Sequence, residues 1–205
     1  VGGQLEQEPV RLRRNEVLFE DQLDPVRDEL EDPVGSDPVR PDSRLDVARL
    51  VIATNANDIM ARALNDGVYA SGQSHATLSP SMDIQVASNF ERALFEAAGR
   101  DADWTAAAMS DFARTRKLEL PATVLSELRG RYSAFASDDG QTRTAIAAVH
   151  KLTGRIIDPH TAVGVGAVAK LRAAGTLHGT TVTLATAHPA KFPDAVERAT
   201  GVRPP

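Results

Sequence analysis

The 205-residue sequence is 42% hydrophobic and 25% charged, enough apolar material for one globular core and too little bias for general disorder. Its formal net charge of -5 supplies no basic surface for a phosphate backbone or an anionic membrane, so neither nucleic acid nor membrane is expected as a partner. The absence of cysteine excludes disulfides, thiolate metal sites and a cysteine nucleophile, and five scattered histidines suggest no metal centre.

Residues 1–46 read as an acidic, proline-rich arm, largely unstructured, because Pro25, Pro33, Pro38 and Pro41 interrupt every helix or strand pattern. Within it, Asn15 to Leu23 has the pattern of a short amphipathic helix, too small to bury much alone. No apolar run approaches the ~20 residues of a membrane span, and the N-terminus lacks the basic-then-apolar order of a signal peptide, so a cytoplasmic location is expected.

Residues 47–205 alternate strand-like and helix-like segments, which predicts an α/β fold with a mainly parallel sheet. Leu50 to Thr54 reads as a buried strand, followed by turn residues at Asn55 to Asp58 and a helix from Ile59 to Leu64 that Asn65-Asp66-Gly67 stops. Ser88 with Glu91 has capping-box spacing and predicts a helix over about 89–98. Asp101 opens another helix and Pro121 to Arg131 supplies a third. Asp138 with Gln141 repeats the capping-box pattern before a helix that Gly154 closes. Arg155 to Ile157 and Thr181 to Ala185 are strand-like, with a helix at Thr161 to Ala173 between them. Pro193 and Gly201 frame a last short helix.

In open α/β sheets ligands lie at the carboxyl ends of strands, which draws attention to Thr54 to Asp58, Asp158 to Thr161 and Thr186 to Phe192. Each is a candidate ligand loop, and each is also built of ordinary turn and cap residues. Ser79 to Asp83 is hydroxyl-rich and leads to a helix start, which suits either a phosphate or a plain polar loop. Gly164-Val165-Gly166-Ala167-Val168-Ala169 fits a dinucleotide fingerprint by spacing. Residues 158–163 separate it from the preceding strand-like segment, so close packing of the helix against the sheet is the better account. No serine occupies a nucleophile elbow, and His75, His150 and His178 need no function.

Ala53 to Asp58, Thr77 to Ile84, Ser88 to Arg92, Asp158 to Gly164 and Ala185 to Phe192, taken in that order, resemble the signature blocks of bacterial and fungal-type threonine synthases. The resemblance covers the C-terminal half of that family. It implies a fold-type II pyridoxal-phosphate (PLP) large domain and the conversion of O-phosphohomoserine and water to threonine and phosphate, with PLP as electron sink and a lysine moving protons.

By the same resemblance Thr186 is expected to face the pyridine nitrogen of PLP. Asn55, Asn57, Asp58, Ser79, Ser81, Asp83, His188 and Lys191 fall in loops at the substrate mouth, and His160 supports a loop rather than touching substrate. No catalytic residue carries over. The lysines are Lys117, Lys151, Lys170 and Lys191, none in the family's Phe-Lys-Asp context, and the Gly-Asn-Phe-Gly loop for the PLP phosphate is missing. The join near Leu45-Asp46-Val47 suggests a truncated, rearranged or frame-shifted coding region, and the chain alone is expected to be inactive. The alternatives are a non-catalytic interaction protein, or one half of a split enzyme that self-associates or recruits the missing N-terminal half.

Overall fold

The computed structural model describes residues 47–205, so the expectations for the arm and for the Asn15 helix lie outside the described residues. Strand β1 (Leu50–Thr54) is followed by helix α1 (Ile59–Asp66), which ends where Gly67 turns left-handed at φ 75°. That position costs a side chain 1–2 kcal/mol and a glycine almost nothing, by rough estimate. Strand β2 (Val68–Ala70), α2 (Phe90–Ala97), α3 (Ala102–Thr115), β3 (Lys117–Glu119), α4 (Ala122–Arg131) and β4 (Tyr132–Ala136) follow. The C-terminal part adds α5 (Asp139–Thr153), α6 (Pro159–Ala173) and α7 (Pro193–Thr200).

β1 and β4 pair in parallel from Leu50↔Tyr132 to Thr54↔Ala136, and β2 pairs antiparallel with β3. This is the α/β architecture expected, although its sheets differ in detail. Strands β2, β3 and β4 were not foreseen: β4 reads Tyr-Ser-Ala-Phe-Ala, with two strand formers among small residues, and follows α4 with no turn residue between. Arg155 to Ile157 and Thr181 to Ala185 are not strands. The first is a connection whose Ile157 plugs a core, and the second is β-branched but lies beside no described strand, so its propensity has no ladder to join.

The helix ends show which cap signals work. Asp101 accepts from the Trp104 N–H, and Asp138 and Gln141 form the reciprocal box before α5, whose end Gly154 turns left-handed. Ser88 and Glu91 do not form a box. Helix α2 begins at Phe90 with Asn89 as its cap, in a helical backbone conformation and without a side-chain cap bond, so Ser88 stands one residue too early.

Two apolar clusters hold the body. One gathers Ile59, Leu64, Tyr69, Phe90, Leu94, Phe112 and Leu128 under α1 to α4, and the other joins Ala145, Ile146 and Val149 of α5 to Ile157, Ala162 and Val165. Helix α6 is buried on nearly every side, against β1, β4 and α5. Its glycines are packing residues. A Cβ on Gly164 would stand 2.9 Å from the Thr183 methyl, whereas one on Gly166 would meet the Ser137 hydroxyl at 3.5 Å, an ordinary contact. Gly164→Val is therefore expected to lower stability by about 1–3 kcal/mol. Gly166→Ala should leave it unchanged or raise it by about 0.5–1 kcal/mol through helix propensity. Urea unfolding midpoints of the two variants check the contrast; equal midpoints would mean that 181–185 does not press on α6.

Candidate functional site

The polar loops foreseen from the sequence converge at the carboxyl end of β1. Asn55 and Asn57, 1% and 2% exposed, sit in the turn between β1 and α1. The Asn55 amide donates to Thr77 Oγ1 and Asp83 Oδ1, both at 2.7 Å, and to Ser79 Oγ at 3.1 Å. Its carbonyl oxygen accepts from the Asn57 backbone N–H at 2.8 Å and from the Asn57 amide at 3.1 Å. Asn57 in turn donates to the His75 carbonyl and Asp83 Oδ1, and its own carbonyl oxygen accepts from the His75 N–H at 2.8 Å.

Asp83 is the centre of this network. Besides the two asparagines, the Thr77 hydroxyl donates to its Oδ1 at 2.6 Å and the Thr77 N–H to its Oδ2 at 3.0 Å. The structure thus brings Asn55, Asn57, Ser79 and Asp83 together, but their polar atoms are spent on one another. They stitch the loop 71–85 to the end of β1. Thr77, His75 and Gln85, whose amide reaches the Asn57 carbonyl oxygen at 3.2 Å, belong to the network and were not singled out from sequence. The spacing of Thr77 and Asp83 within a hydroxyl-rich loop was the available signal.

Asp58 stands outside the network, paired with Arg62 at 2.8 Å one helical turn on. Ser81 is exposed and caps nothing, yet its backbone N–H donates to His160 Nε2 at 3.2 Å. His160 is fixed from its other side by Asp158, whose Oδ1 lies 3.0 Å from Nδ1. Asp158 is 1% exposed and also caps α6, accepting from the N–H groups of His160 and Thr161 and from the Thr161 hydroxyl. The His160 ring lies against Phe192, with centroids 4.8 Å apart, which draws the segment 186–192 to the same place. His160 thus links Ser81 of the loop to Asp158 at the start of α6.

Thr186, His188 and Lys191 are exposed on that segment, with His188 Nδ1 accepting from the Ala190 N–H at 3.2 Å. The described residues do not complete a PLP site. Lys117, Lys151 and Lys191 are exposed and Lys170 is half-buried on α6. Lys117 is held by Glu119 at 2.6 Å, a hydrogen bond and charge pairing that keep the glutamate below its usual carboxylate range. A small hollow lies elsewhere, between α2 and α4, lined by Ala93, Glu96, Leu128 and Arg131 with no lysine. No group of His, Asp and Glu among the described residues is arranged to hold a metal, and no described helix is long and apolar enough to cross a membrane.

Comparison with known proteins agrees with this geometry. Residues 161–205 match the family model "Threonine synthase, C-terminal". The threonine synthase of Pseudomonas aeruginosa is 43% identical over 155 residues, which cover 76% of this chain and 33% of that protein. The crystal structure of PLP-bound threonine synthase from Brucella melitensis aligns with a TM-score of 0.73 and 44% identity, covering 79% of this chain and 34% of that one. The yeast threonine synthase structure gives a TM-score of 0.72 at 32% identity, over 77% of this chain and 34% of that one. The chain spans about a third of the length of these relatives, not the half that its blocks suggested. By sequence and by fold, the body of this chain corresponds to the C-terminal part of threonine synthases.

Proposed function

We propose that residues 47–205 supply the C-terminal wall of a threonine synthase-type site, one that handles O-phosphohomoserine with PLP. The observation that carries this reading is the meeting of the family-like blocks in space: Asn55 to Asp58, Ser79 to Asp83, Asp158 to Thr161 and the segment ending at Phe192 are joined through the Asp83 network and His160. In this reading the exposed Thr186 hydroxyl faces the pyridine nitrogen, and a neutral hydroxyl there leaves that nitrogen largely unprotonated. His188, Lys191, Ser81 and Asp58, whose side chains lie outside the buried network, line the substrate side. Asn55, Asn57, Ser79 and Asp83 hold the loops in place. PLP, when bound, supplies the electron sink for the chemistry at Cα and Cβ.

The 205 residues alone do not form the Schiff base, because none of their lysines stands in a closed pocket beside these loops. The Schiff-base lysine and the loop for the PLP phosphate lie outside these 205 residues, and the exposed Val182 and Leu184, at 58% and 74%, mark the surface that such groups cover. Incubation with PLP, borohydride reduction and peptide mapping test this. No lysine should be labelled stoichiometrically, and phosphate release from O-phosphohomoserine should require an added polypeptide bearing the cofactor lysine. Stoichiometric labelling of one lysine, for example Lys191, would make the chain self-sufficient and overturn the proposal.

A further inference from the structure

We infer that His160 is a positioning residue that works only as the neutral ring with its proton on Nδ1, and that in this form it locks the loop 79–83 to the start of α6. Three contacts carry the inference. Nδ1 lies 3.0 Å from the Asp158 carboxylate, which accepts hydrogen bonds and donates none, so the proton between them sits on the ring. Nε2 lies 3.2 Å from the Ser81 backbone nitrogen, a group that only donates, so Nε2 must present its lone pair. The ring, with its side chain 5% exposed, is packed on Phe192 and has no room to turn away to water.

The two polar contacts specify one tautomer, and a second proton destroys the arrangement. Protonated His160 carries an N–H on Nε2 facing the N–H of Ser81, donor against donor. Asp158 is the charged group bonded to the ring; Asp83, His188 and Lys191 ride on the loops that the ring ties together. Asp83 is occupied by Asn55, Asn57 and Thr77, and the His188 and Lys191 side chains are exposed. Release at Ser81 leaves the loop held by the Asp83 network and by the Leu78 N–H bond to Asp139 at 3.1 Å, and lets its tip, Pro80 to Met82, move relative to Phe192. The bearing of this lock on substrate rests on the function proposed above. The lock itself rests on geometry alone.

The test uses the full chain. Long-range proton–nitrogen correlation spectra of the wild type near pH 8 should report the Nδ1–H tautomer for His160. The Ser81 amide should exchange roughly 5- to 10-fold more slowly than in a variant lacking the acceptor, the factor corresponding to one net hydrogen bond. His160→Asn keeps an amide near Asp158 but does not reach Ser81, and should lose the protection. His160→Gln places an oxygen where Nε2 stood, and should recover it. An Nε2–H tautomer in the wild type would overturn the inference without any variant, as would equal Ser81 exchange in the Asn and Gln variants. Both readouts are independent of PLP, so a chain that fails to complement an enzyme can still carry the lock.

Discussion

Replacing Asn55 with leucine is expected to destabilise the body by roughly 3–5 kcal/mol, the sum of two or more buried polar groups losing their partners. The side chain is nearly isosteric, so little of the loss is cavity. What disappears is the acceptor for the Asn57 N–H and amide, and the amide that reaches Asp83 Oδ1 at 2.7 Å. Asp83 keeps Thr77 and Asn57, but Asn57 itself is left with a buried backbone donor unpaired. The contrasting variant is Asp58→Ala, which removes a half-exposed ion pair with Arg62 and should cost under about 1 kcal/mol. Denaturant unfolding of both variants checks the difference. A loss below about 1 kcal/mol for Asn55→Leu would mean that the asparagine is available to a ligand, as a substrate-contact role requires.

That contrast marks how far the sequence could be read. A run such as Asn55-Ala56-Asn57-Asp58 shows that polar groups gather after a strand, but not whether their hydrogen bonds point outward to a ligand or inward to a loop 20 residues away. The partners Thr77 and Asp83 are distant in sequence, and only the fold brings them under Asn55. Asp158 caps a helix that begins at Pro159, two residues ahead of the Thr161 start read from the sequence; Asp-Pro-His-Thr, an acceptor ahead of a proline at the first helical turn, was the signal for it. The contact between His160 and Ser81, 79 residues apart, was not.

The same division runs through the fold. Local punctuation was readable: Gly67, Gly154 and Gly201 end helices in left-handed turns, and Asp138 with Gln141 opens one. Strand identity was less so, because a strand is defined by its neighbour. Thr181-Val182-Thr183-Leu184-Ala185 has the better strand composition but lies beside no described strand, while Tyr132 to Ala136 has a poorer one and pairs along all of β1. The segment 181–185 keeps a strand's alternation all the same. Thr181 and Thr183 are half-buried, Thr183 against α6, while Val182 and Leu184 face outward.

Tyr69→Ala is expected to cost about 3–5 kcal/mol, the range for truncating a large aromatic side chain in a closed core. The Tyr69 ring is fully buried and packs against Phe112 at 4.5 Å and Phe90 at 4.9 Å, so it joins β2, α2 and α3 in a single contact. Its hydroxyl accepts from the Ala87 N–H at 2.8 Å and donates to the Ala87 carbonyl, anchoring the far end of the loop that carries Asp83. Tyr69→Phe separates the two roles: it keeps the ring packing and leaves the Ala87 N–H unpaired, at about 1–3 kcal/mol. The separation can also be read from pH. Burial raises the Tyr69 phenol above its ordinary value of 10.0, and the Ala87 N–H offsets part of that rise. A phenol held neutral by the fold contributes its full share of stability below the unfolded value, and that share is lost as pH climbs toward the folded one. The stability gap between wild type and Tyr69→Phe should therefore be constant through neutral pH and narrow above about pH 10. A gap that stays constant through pH 11 would place the hydroxyl in water and remove the link between this core and the Ala87 end of the loop.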